Sequence, residues 1–196
     1  LFRVALPFAT LATLGVLCQR IGVISVSILA GDIATGLFSS AARVVDGMKL
    51  GHYAVLGALL QALSRKALDS KQGYRAAFLG LLGISVLIAG GTMFFANPIL
   101  YFLFGEKYTP AVSLLIVLVW TLVPYTISAF ISVDLVVRGL EYTLVKATII
   151  SLIIYIALYL WLINSNGLTG AVWAALIGEC LQAVVLVLFY FCPTRM

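Results

Sequence analysis

The chain has 196 residues, 63% of them hydrophobic and only 10% charged, with a formal net charge of +5 and a mean hydropathy of +1.17. An average soluble domain carries about 25% charged residues, so this composition excludes one and marks an integral membrane protein. The surplus of Lys and Arg does not point to nucleic acid, because cytoplasmic loops of membrane proteins collect the same residues.

Apolar runs of about 20 residues, the length that crosses a hydrocarbon core as a helix, recur along the chain. They predict an all-α fold of six transmembrane helices, over roughly 5–29, 34–62, 76–97, 110–135, 142–163 and 169–192. The apolar/polar alternation of barrel strands is absent from these runs. The first begins LFRVALPFATLATLG and continues to about Leu29 without the small-residue cleavage site of a signal peptide, so it reads as a span. The missing initiator Met leads to the expectation of a longer parent chain. Arg20 lies inside this first span.

The second predicted helix holds the most informative stretch, AARVVDGMKLGH at 41–52, with Arg43, Asp46, Lys49 and His52. A charge at the centre of a spanning helix costs about 2.5–3.5 kcal/mol on insertion scales. Ser39, Arg43 and Asp46 share a helix face, with Lys49 at its edge, so this stripe must face protein or water. Two readings stay open. Arg43 and Asp46 form a pair that locks helices together, or the stripe lines a water-filled cavity for a polar or anionic substrate. Arg20 at similar depth adds a fourth ionisable group, more than one structural pair needs, which favours the cavity. Gly47 and Gly51, followed by Ala54, Ala58 and Ala62, form a small face suited to close helix packing. His52 reads as a packing residue near the inner leaflet, with proton relay as the alternative.

Between the third and fourth spans, NPILYFLFGEKYTP is too short to cross. Its aromatics and flanking Pro98 and Pro110 predict a short interfacial helix on the outer side. Pro124 falls inside the fourth span, where a missing backbone donor permits a kink. Asp134 and Arg138, four apart, predict a surface ion pair. Glu179 follows Gly178 in the sixth span and is either a coupling-ion site or a helix-bridging group satisfied by a residue such as Gln182. Cys18, Cys180 and Cys192 lack metal or disulfide spacing and read as packing residues.

The loops set the orientation. SRKALDSKQGYR carries Arg65, Lys66, Lys71 and Arg75 against Asp69, and the next loop on that side holds Arg138, Glu141 and Lys146. Arg3 and Arg195 flank the ends. The turn near Gly31 and Asp32 and the NSNGLTG loop have no Lys or Arg, and FGEKYTP has only Lys107. The positive-inside rule then puts both ends of the segment in the cytoplasm. Since no nucleophile–base pair, metal-ligand cluster or phosphate-binding Gly loop stands out, the sequence predicts no enzyme, metal or cofactor. Transport or lipid handling is left.

Three stretches carry a family resemblance. GDIATGLFSSAARVVDGMK resembles the Gly-rich turn and helix, roughly G-x-[FY]-x-x-A-x-R, of polysaccharide and O-antigen flippases. FGEKYTPAVSLLIVL and NSNGLTGAVWAALIGE resemble two later motifs of the same family. The likeness runs from about Ala5 to Phe191, with one departure: ALLQALS lacks the Pro that ordinarily follows an Ala-Leu at the second helix's inner end. These flippases belong to the superfamily that includes multidrug exporters. The resemblance implies two six-helix lobes around a central cavity, turning a lipid-linked oligosaccharide from the inner to the outer leaflet of the inner (plasma) membrane by alternating access. This chain would be the C-terminal lobe, partnered by an N-terminal lobe of the same chain and by membrane lipids, with no nucleic acid. Arg is suited to the anionic diphosphate of such a lipid. Arg43 enters the expected cavity from the motif; Asp46, Lys49 and Arg20 join it by stripe and depth. A multidrug exporter of the same superfamily, or a membrane scaffold that transports nothing, are the alternatives.

Overall fold

A computed structural model describes residues 2–64 and 71–191. Arg65, Lys66, Asp69, Cys192 and Arg195 lie outside the described residues. The described chain is helical throughout, with α1 (Phe2–Ser64), α2 (Lys71–Phe104), α3 (Val112–Leu118), α4 (Leu122–Val137) and α5 (Glu141–Phe191). Four stretches are long and apolar enough to cross a membrane: Ala9–Gly57, Arg75–Phe104, Glu106–Val137 and Glu141–Phe191. This differs from the six separate helices predicted from the sequence.

The difference has a local cause. At 1.5 Å per residue, the 63 residues of α1 would reach about 95 Å if straight, three times the thickness of a hydrocarbon core. Instead α1 contains one non-helical residue, Gly31, with φ 82° and ψ −179°. Gly22 and Phe38, on either side of it, would be about 24 Å apart on a straight helix. A Cβ placed on Gly22 would meet the Phe38 ring at 3.3 Å. The chain therefore folds back at Gly31. The 51 residues of α5 do the same at Gly167, with φ 59° and ψ −136°, since a Cβ on Gly178 would lie 2.5 Å from the Tyr155 ring. Both reversals use a positive φ that side chains other than glycine rarely adopt. Because a single glycine leaves helical geometry at each turn, the helical run continues up to Gly31 and Gly167 from both sides.

The predicted interfacial helix over 98–110 also resolves differently. α2 continues through Pro98 to Phe104, with Leu100 fully buried and Phe102 exposed. Gly105, at φ 85°, ends it, and Glu106–Ala111 forms a 3₁₀ turn. The helix survives Pro98 because one lost backbone bond is tolerated where neighbouring elements support it. The predicted fourth span is α3 and α4 joined by a 3₁₀ turn at Val119–Thr121. Helix tightening in the turn before Pro124 accords with the donor that proline lacks.

α3 and α4 are the most buried of the apolar stretches and sit at the centre. Leu115, Leu118 and Val119 pack there with Val26, Phe38, Ala171 and Ala174 from α1 and α5. In a bilayer this packing is driven by close fit more than by release of water, which explains the many Ala and Gly at the contacts. Large apolar side chains on the outside, such as Ile33, Phe94 and Phe102, would form an unstable patch in water and suit contact with lipid tails.

Candidate functional site

Between the two folded-back helices lies a polar cavity of about 140 Å³. Asp46 and Lys49, one turn apart on the second half of α1, both reach its wall, and the second half of α5 brings Glu179 to meet them. Lys49 Nζ donates to Glu179 Oε1 at 2.6 Å, with both side chains 12% exposed. The same ammonium lies 4.6 Å from the Tyr125 ring centroid, a favourable position against the ring's negative face. Glu179 is thus paired with Lys49, 130 residues away, while Gln182 lines the cavity beside it.

Tyrosines supply much of the remaining wall. Tyr53 and Tyr125 meet edge to face, at 5.9 Å and 75°, and make a corner under Lys49. Tyr155 and Tyr159 stack at 6.3 Å and 19° on the other side. The Tyr125 hydroxyl is buried beside Tyr53 in a geometry that completes no hydrogen bond. Gln19, Thr121, Thr148 and Cys18 also reach the cavity.

The predicted cationic set divides. Of Arg43, Asp46, Lys49 and Arg20, only Asp46 and Lys49 line the cavity. Arg20 is exposed beyond its rim, yet with Lys49 and Glu179 its charge acts on Asp46. Arg43 is exposed on a different face of α1, and among the described residues it forms no ion pair with Asp46. Successive steps of three residues rotate the stripe by about 60° each, enough to carry Arg43 off the face that Lys49 uses. The sequence expects Gly47 and Gly51 to seat a neighbouring helix, but among the described residues no atom of another element lies within 4 Å of where their Cβ would stand.

His52 is buried and serves packing. Its Nε2 lies 2.7 Å from Ser85 Oγ, which lies 2.6 Å from Thr126 Oγ1, tying α1, α2 and α4 together. The Asp134–Arg138 pair forms at 2.8 Å, and Arg138 also donates to the Tyr190 hydroxyl at 2.7 Å. Cys18 and Cys180 are free thiols.

The tyrosines are what sequence reading missed. Their signal is weak but present: Tyr155 and Tyr159 repeat at one helical turn well inside a predicted span, far from the interfaces where tyrosine ordinarily gathers. Among the described residues, no group of three or more His, Cys, Asp or Glu could hold a metal. No family model matches this chain, and no curated protein or solved structure is similar to it.

Proposed function

We propose that the chain is one lobe of a two-lobe flippase that moves a lipid-linked oligosaccharide across the inner membrane by alternating access. Each of α1 and α5 crosses twice, giving six crossings with both ends of the segment in the cytoplasm. The observation that supports this most is Arg43. It sits twelve residues past the Gly31 turn, about 18 Å along the helix and thus near mid-bilayer, exposed and uncovered by the rest of the described chain. A lipid-facing charge at that depth costs about 2.5–3.5 kcal/mol, so the face belongs against water or another protein body. Arg20 adds a second exposed cation in the neighbouring helix. Arg43 offers fork-shaped donors to a diphosphate.

The test is Arg43→Ala in cells that depend on the protein for surface polysaccharide. Export falls at least tenfold while membrane insertion stays normal; normal polysaccharide would remove Arg43 from the transport route. A second reading has its own observation. Asp46 and Glu179 place two carboxylates on the cavity wall, which would suit a cationic drug. Deleting the protein and measuring drug sensitivity separates that exporter from the flippase.

A further inference from the structure

We propose that the cavity between α1 and α5 receives one sugar ring, and that the anionic part of the substrate stays outside it, on the Arg43 face. This deepens the flippase reading and rests on it.

Charge decides the first part. The cavity wall carries Asp46, Lys49 and Glu179, and among the described residues the further charge that acts on Asp46 is Arg20, beyond the rim. Lys49 on the wall and Arg20 outside it together offset the two carboxylates. A diphosphate entering here would be pushed against both carboxylates, and Lys49 is already held by Glu179 at 2.6 Å. An added ammonium would find Glu179 and the Tyr125 ring already taken by Lys49, and Asp46 already under the charges of Lys49 and Arg20. What the cavity has left is uncharged hydrogen bonding.

That capacity is large and two-sided. Gln19 and Gln182 each offer donors and an acceptor, Asp46 offers acceptor oxygens with no hydrogen bond among the described residues, and Thr121 and Thr148 add hydroxyls. The Tyr125 hydroxyl is buried beside Tyr53, so the corner's accessible hydrogen-bonding groups are those of Tyr53 and the two glutamines. A pyranose matches this pattern because each of its hydroxyls both donates and accepts. Its C–H face is apolar, and the perpendicular Tyr53 and Tyr125 rings provide an aromatic corner for it. A cavity of about 140 Å³ suits one ring and not a chain of them. The division of labour follows: Arg43 holds the charged end of the substrate while the tyrosine corner holds one saccharide unit.

The experiment is saturation-transfer NMR on the protein in lipid nanodiscs, with a panel of methyl hexopyranosides and methyl N-acetylhexosaminides as probes. At least one glycoside shows transfer, strongest at the C–H protons of one ring face. Tyr53→Leu and Gln182→Leu, both at partly exposed positions, each weaken binding by about fivefold, the loss of one good contact. Inorganic pyrophosphate and tetramethylammonium do not compete. Transfer from no glycoside, or binding unchanged in both variants, overturns the proposal; displacement by tetramethylammonium makes the cavity a cation site instead. The two claims fail separately. Glycoside binding lost with Arg43→Ala still blocking export sinks only the cavity assignment, whereas glycoside binding with normal export in Arg43→Ala sinks the diphosphate face.

Discussion

At the scale of single residues, Lys49 is the side chain on which the site turns. Its ammonium is shared between Glu179, at 2.6 Å, and the Tyr125 ring, and both of its carboxylate neighbours depend on it. Breaking a buried pair by removing one partner typically costs about 3–5 kcal/mol, because the other charge is left without compensation. Removing both partners costs far less than the sum of the two losses. Lys49→Met and Glu179→Gln are each expected to destabilise the protein by that order in reversible unfolding from mixed micelles. The double variant should recover at least about 1 kcal/mol of the summed loss. Additive losses would mean that the pair, though close, holds nothing together. Asp46 makes the two singles unequal. With Lys49 gone, Asp46 and Glu179 face each other with only Arg20 to balance them, so Lys49→Met is the more damaging change.

At the scale of elements, the two glycine reversals determine how often the chain crosses. If α1 turns at Gly31 and α5 at Gly167, then Asp32, Lys107 and Asn166 lie on one side of the membrane and Tyr142 on the other. With Cys18, Cys180 and Cys192 replaced by alanine, single cysteines at 32, 107 and 166 are expected to react with a membrane-impermeant maleimide from outside intact cells. A cysteine at 142 should react only after the inner face is opened. Labelling of 142 from outside would require an odd number of crossings between 107 and 142 to be wrong, and with it the path of α3 and α4. The same glycines show how much could be read from the sequence. Helical character, the apolar runs and the polar stripe on α1 follow from composition and spacing, because each is set within a few turns of chain. The continuity of the helical run up to each turn does not, although Gly31 and Gly167 fall within the turn near Gly31 and Asp32 and the NSNGLTG loop that the sequence marks. Nor does the Lys49–Glu179 pair, whose members are 130 residues apart and meet only because both long helices fold back. Arg43 shows a third limit: a helical wheel placed it beside Asp46, but sixty degrees of rotation put the two side chains on different surfaces.

At the scale of the whole molecule, the unfilled face of α1 separates a lobe from a free-standing bundle. Among the described residues, no atom of another element lies within 4 Å of a would-be Cβ at Gly36, Gly47 or Gly51, and Arg43 is exposed among them. Glycine inside a helix costs about 1 kcal/mol relative to alanine, so a run of glycines facing lipid would be a loss without return. In the proposed two-lobe arrangement, close approach by a second helical body would supply the return, since small residues let backbones pack tightly in a bilayer. Gly47→Leu and Gly51→Leu therefore test the two-lobe arrangement directly. Among the described residues no other element lies within 4 Å of a Cβ at either position, and leucine is a better helix former than glycine. The melting temperature of the purified chain in detergent is expected to stay the same or rise slightly. Under the two-lobe proposal transport is expected to fall at least tenfold, because the leucine would hold an opposing body off. Should both variants transport normally, the face meets lipid, Arg43 has no second body to cover it, and the two-lobe arrangement fails with it.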